Sequence, residues 1–211
     1  MRTLALLLIT TIATIVPLTA LAGTGTFGSY IGIDNGSGNA WYGATQPGPT
    51  TLWAFDGSDL GDFTVGDSLL ISGGELLTWK SDSGDVTGAN LYYSIDATGT
   101  TPASFTGIGI NWSSNSPFND AAGNAFTNSG DQKWASITST PDVLSGLTNG
   151  DYSLSVYFEA STSVGTRTDN NGGANYVANF SVASASVVPE PAALLLLIGG
   201  IVPLALLRRR K

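Results

Sequence analysis

The chain has 211 residues, 16 acidic side chains against 8 basic ones, and neither cysteine nor histidine. That composition excludes disulfide staples, a Ser-His-Asp triad, a thiol nucleophile and zinc held by histidine or thiolate, so carboxylates alone remain for catalysis. Between Gly23 and Ser186 the only cations are Lys80, Lys133 and Arg167 against 15 acids, a balance of −12 that repels nucleic acid and anionic headgroups.

The N-terminus places Arg2 before an apolar run from Leu4 to Val16, then Pro17, then Ala20-Leu21-Ala22. This is the layout of a secretory signal peptide over residues 1–22, a short signal helix cut by signal peptidase between Ala22 and Gly23. The run falls short of the ~20 apolar residues that a spanning helix needs. The mature chain is therefore expected outside the cytoplasm.

Residues 23–182 read as one extracellular domain, long enough for a substantial core. Its strand signals are "NLYYSI" (90–95), "SFTGIGINW" (104–112), "DYSLSVYFEA" (151–160) and "NYVANFSV" (175–182). In "YSLSVYF" the alternation sets Tyr152, Leu154, Val156 and Phe158 on one face and Ser153, Ser155 and Tyr157 on the other. Turn-forming clusters separate the strands: "DNGSGN", "DGSDLGD", "SDSGD", "TNGD" and "DNNGG". No long stretch carries a 3.6-residue period. Short strands at regular spacing predict an all-β domain, an antiparallel β-sandwich of Ig-like or jelly-roll type. The stretch "SGLTNGDYSLSVYF" resembles Ig-like and fibronectin-like secreted bacterial β domains.

Few side chains in this body suggest chemistry. Asp56, Asp59 and Asp62 in "DGSDLGD" offer oxygens suited to Ca²⁺, as do Asp169, Asn170 and Asn171, although neither spacing matches an EF-hand loop and Asp is a common turn former. A glycan hydrolase needs two carboxylates across a cleft, and Glu75, Glu159 and the aspartates are the only candidates. No catalytic residue and no required cofactor are assigned. Of the tryptophans at 41, 53, 79, 112 and 134, Trp112 ends a strand beside polar residues and is the expected sugar contact of a carbohydrate-binding module; the others are expected to pack.

After a linker at 183–187 the chain changes character. Val188-Pro189-Glu190-Pro191 is a stiff extended element, because each proline fixes its own φ and pushes the residue before it out of the helical region. Residues 192–207 carry no polar side chain, and Arg208, Arg209, Arg210 and Lys211 follow. A helix apolar all round belongs in a core or in lipid, and four terminal cations cannot be threaded through a protein interior. A single transmembrane helix over 192–207 is expected, with the cluster as a cytoplasmic stop-transfer signal. The span is short, so the cationic stems must snorkel.

Together these residues resemble the PEP-CTERM sorting signal of Gram-negative bacteria, over 188–211. The resemblance implies recognition of Pro189, Glu190 and Pro191 by an exosortase, a membrane-embedded cysteine transpeptidase-like enzyme that processes the tail. It also implies an inner-membrane intermediate with the body outside, then a cell-surface or extracellular destination, in bacteria that make extracellular polysaccharide. Pro203 departs from the usual helix of that signal.

Overall fold

A computed structural model of the protein describes residues 23–184. Within them the chain is nearly all β. Its strands are β1 (Gly23–Asp34), β2 (Asn39–Thr45), β3 (Trp53–Ala54), β4 (Asp59–Thr64), β5 (Leu70–Ser81), β6 (Val86–Ala97) and β7 (Thr106–Asn115). They continue as β8 (Phe118–Asn119), β9 (Ala125–Phe126), β10 (Asp131–Ile137), β11 (Gly150–Thr162), β12 (Arg167–Asp169) and β13 (Tyr176–Ala183).

One sheet runs in the order β3-β2-β1-β5-β10-β7-β6-β11-β13-β4, with β12 also on β11; β8 and β9 form a separate two-stranded ribbon. Most pairings are antiparallel, but β2–β3 and β4–β13 are parallel, so the expected purely antiparallel sheet is corrected to a mixed one. The sheet is also curled. Register shifts in β1, β10 and β11 mark bulges, which bend a strand and raise its twist. The inner face of the curl buries Ile31, Ile71 and Leu76 from one half against Leu91, Leu154, Val156, Phe158 and Phe180 from the other.

The four segments expected as strands overlap β6, β7, β11 and β13, with β7 beginning two residues later and β13 one residue later than expected. Leu154, Val156 and Phe158 are fully buried, as their alternation predicts. Strands β1 and β5 carry no unbroken alternation in the sequence, because glycines interrupt them. Two of those glycines are set by close approach. A Cβ on Gly25 would fall 2.3 Å from the Trp79 ring, and one on Gly73 would fall 2.7 Å from the Trp41 ring.

The stretch "DGSDLGD", read as a turn, is in large part strand β4. Gly61 has φ 113°, open to glycine and strained for other residues. The irregularity there lets Leu60 and Phe63, three residues apart, both enter the core. Asp56 and Asp62 then fasten the strand: Asp56 Oδ1 accepts from the Val177 amide at 2.9 Å, and Asp62 Oδ1 accepts from Ser181 Oγ at 2.5 Å.

A carboxylate latches the curl shut. Asp169 in β12 accepts from Ser29 Oγ (2.5 Å) in β1, Thr45 Oγ1 (3.1 Å) in β2 and Tyr176 Oη (2.5 Å) in β13. Burial, followed by the Asp169 carboxylate, pushes the Tyr176 phenol up to about 12. The folded state thus holds the phenolic proton more tightly, and stability falls as pH rises from the ordinary phenol range towards 12. Asp169→Asn is expected to lower stability by about 2 kcal/mol, the scale of losing hydrogen bonds to a charged acceptor. It should also bring the Tyr176 titration down, read as phenolate absorbance. An unchanged urea midpoint and an unchanged titration would remove the latch.

Candidate functional site

The two halves of the curl present very different outer faces. On the half built from β1, β5 and β10, the chain between β7 and β10 folds back as a cap carrying β8 and β9. It buries Tyr30, Leu77 and Phe118 with Phe27, Trp41 and Phe126 around them. Alternation puts Glu75 on this same outer face, and it is only 2% exposed.

Two buried carboxylates clasp the cap to the sheet. Glu75 Oε2 pairs with Lys133 Nζ at 2.7 Å, Glu75 Oε1 accepts from the Ala121 amide at 2.9 Å, and Lys133 Nζ also donates to the Asn119 carbonyl at 2.7 Å. Asp120 accepts from Tyr30 Oη (2.5 Å), the Asn124 amide (2.7 Å) and Asn124 Nδ2 (3.0 Å). Burial pushes the Glu75 carboxyl above the usual carboxylate range, and Lys133 offsets only part of that. Burial and the Asp120 carboxylate push the Tyr30 phenol up. These groups have protein partners and no open side, so the cluster holds the cap in place.

Among the described residues, the outer face of β6, β7, β11 and the start of β13 carries no such cap. Tyr92 and Tyr157 are direct register partners here, their rings stacked with centroids 4.7 Å apart and planes 8° apart. Phe105 meets Tyr157 edge-on at 5.0 Å. The Tyr92 ring leans over Gly107, where a Cβ would come within 2.9 Å of it. All three aromatics are half-buried and belong to neither hydrophobic cluster.

Polar pairs flank the rings along the same face. Asn90 stands opposite Glu159 on one side; Ser94 opposite Ser155, then Asp96 opposite Ser153, lie on the other. Ser94 Oγ donates to Asp96 Oδ2 at 2.6 Å, and Ser153 Oγ donates to Asn179 Oδ1 at 2.8 Å. Burial, then the Glu159 carboxylate, raises the Tyr92 phenol; burial, then Tyr92 and Glu159, raises Tyr157.

The structure scatters most of the sequence-predicted candidates. Trp112 is 54% exposed, as an accessible sugar contact requires, but its register partner is the core residue Trp134, away from the Tyr92–Tyr157 face. Trp134 is buried and donates from Nε1 to Thr78 Oγ1 at 3.2 Å. The packing role expected for Trp53 is corrected: it is 83% exposed, because β3 is a two-residue edge strand. Trp79 is likewise partly exposed, lying over Gly23 and Gly25.

Asp56, Asp59 and Asp62 are used separately. Asp56 serves β13 and Asn171, Asp59 Oδ1 accepts from the Gly61 amide, and Asp62 serves Ser181. Asn170 accepts from the Gly173 amide. Among the described residues no group of three or more acidic side chains is arranged to hold a metal ion. Glu75 and Glu159 occupy outer faces of opposite halves of the curl and share no cleft.

The aromatic pair was half legible. Alternation in "YSLSVYF" sends Tyr157 away from the core, but its meeting with Tyr92 depends on a register between strands far apart in sequence. The signal-peptide cleavage expected between Ala22 and Gly23 and the expected tail residues Val188–Pro191 and Arg208–Lys211 fall wholly or partly outside the described residues; of these only Gly23 is described, at the start of β1. Among the described residues no helix is long and apolar enough to cross a membrane. Neither the protein-family models nor the curated proteins contain a match to this chain.

Proposed function

We propose that the chain is an exported, non-enzymatic protein of the cell surface or extracellular matrix, addressed by a C-terminal PEP-CTERM signal that an exosortase recognises and processes. The observation that carries this reading is the tail itself. Val188-Pro189-Glu190-Pro191 precedes sixteen residues without a polar side chain, and four cations end the chain. On this reading residues 192–207 form a single transmembrane helix, residues 1–22 are removed by signal peptidase, and the body is a β-sandwich of Ig-like or jelly-roll type closed by its Asp169 latch. The enclosure of Glu75 with Lys133, far from Glu159, supports a binding or structural role over glycan hydrolysis.

The test is the mass of the protein extracted from the surface of cells with and without the exosortase. The wild-type chain is expected to lose its Arg-rich end only in the presence of the enzyme, and Glu190→Ala to cut processing at least about tenfold, the loss of about 1.4 kcal/mol of recognition. An intact Arg208–Lys211 end in both strains overturns the proposal. Carbohydrate binding is a second reading, favoured by the uncovered aromatic face.

A further inference from the structure

We propose that the outer face of β6, β7 and β11 binds a neutral polysaccharide, with Tyr92, Phe105 and Tyr157 as its apolar platform and Glu159, Asn90 and Asp96 as its hydrogen-bonding rim. This names the place and ligand class of the carbohydrate reading, and it stands independently of the tail.

Three features of the face converge on that ligand. The first is geometry. The outer face of the β1–β5–β10 half is buried under the chain's own cap, whereas here three rings gather on a sheet that no other described segment caps and remain half-exposed. Exposed aromatics on a sheet are costly to leave in water unless they meet an apolar surface, and the C–H face of a pyranose supplies one. Gly107 keeps the floor beside Tyr92 low.

The second is the rim. Sugar hydroxyls both donate and accept, so they need partners of both kinds within reach of the apolar contact. Glu159 and Asp96 supply acceptors and Asn90 supplies both; Asn90 and Glu159 share one row of the ladder, and Asp96 stands beyond the rings on their other side. Rows two residues apart on one face step by roughly 6.6 Å. Asn90 and Glu159 therefore lie one step from the Tyr92–Tyr157 row on one side, and Asp96 lies two steps from it on the other.

The third is charge. The body's three cations are committed elsewhere: Lys80 to Asp85, Lys133 to Glu75, and Arg167 to the Thr24 carbonyl. A uronate- or sulfate-bearing polymer would face Asp96 and Glu159 with no positive partner, which disfavours it at moderate ionic strength. A protein partner is disfavoured too. Beyond the three rings, Gly107 and the half-buried Val177 at its β13 edge, the face is mostly serine, asparagine and carboxylate, without the broad desolvated apolar centre that protein interfaces use.

The experiment is affinity electrophoresis of the full-length chain in detergent through gels containing glucan, xylan, mannan or galactan, with alginate as the acidic comparison. At least one neutral polymer is expected to retard the protein, and Tyr157→Ala to weaken retardation about tenfold or more, equal to about 1.4 kcal/mol. Glu159→Gln provides a variant that leaves the rings in place and should weaken binding several-fold. Thermal melts of both variants separate lost binding from lost folding. Retardation by none of the neutral polymers, equal or stronger retardation by alginate, or loss with Trp112→Ala but not with Tyr157→Ala overturns the proposal. Removing residues 188–211 is expected to leave retardation unchanged. A chain that binds glycan but is never processed sinks the sorting reading alone, and one that is processed but binds nothing sinks this one alone.

Discussion

Lys133→Met is expected to destabilise the protein by about 3–5 kcal/mol at pH 7–8, the range for stripping one partner from a buried ion pair. Methionine preserves much of the stem volume, so the loss isolates the charge. Glu75 would be left in its enclosed site with only the Ala121 amide, and Asp120 close enough to repel it. The sign of the pH dependence follows from the direction of the Glu75 shift. Its folded pKa is raised, so the folded state binds the extra proton, and stability falls as pH rises from the ordinary glutamate range through the raised value. Removing Lys133 raises that value further. Lowering the pH protonates Glu75 and discharges the site, so the gap between variant and wild type should narrow markedly near pH 5. Urea midpoints measured at pH 5 and pH 8 check this. A gap independent of pH would mean that Glu75 is not the group left stranded. Because Lys133 also holds the Asn119 carbonyl, protease cleavage within the cap between β7 and β10 should accelerate before the rest of the body opens.

Phe158→Ala is expected to lower stability by about 3–5 kcal/mol. That is a large part of the ~5–15 kcal/mol that holds a typical domain together. Phe158 is fully buried in the longest strand, whose backbone is paired to β6 along nearly its full length and to both β13 and β12. A cavity there touches both halves of the curl, and the bonded strands on either side limit how far the site can collapse. Its chain neighbour Tyr157 points to the other face and is half-exposed, so Tyr157→Ala should lower stability by about 1 kcal/mol. The contrast between adjacent residues is the useful measurement. Equal losses at 157 and 158 would contradict the placement of the core on the inside of the curl.

What could be read in the sequence follows from how local each signal is. Leu154, Val156 and Phe158 alternate with polar residues inside seven positions, so β11 and its buried face were legible, and β6, β7 and β13 were found in the same way. In β1 and β5 the alternation is broken by glycines whose reason lies on another strand, in the rings of Trp79 and Trp41. Aspartate and glycine hid β4, since both are turn formers by composition. Only its parallel partner β13 explains why Asp56 and Asp62 are there. The same limit governed the aromatic face of β6 and β11. The outward direction of Tyr157 is a property of seven residues, while its stack with Tyr92 is a property of the sheet. The signal peptide and sorting signal expected at the two ends, by contrast, are continuous stretches of sequence whose recognition needs no fold.

The position of β13 sets an order of events. It is the last strand of the body, yet it sits inside the sheet between β11 and β4. Strand β4 is synthesised about half a chain earlier and has no neighbour until β13 arrives. Until then its backbone donors and acceptors are open to pairing with another chain. A chain cut short before β13 is complete therefore leaves the seam undone and β4 open to pairing with another copy.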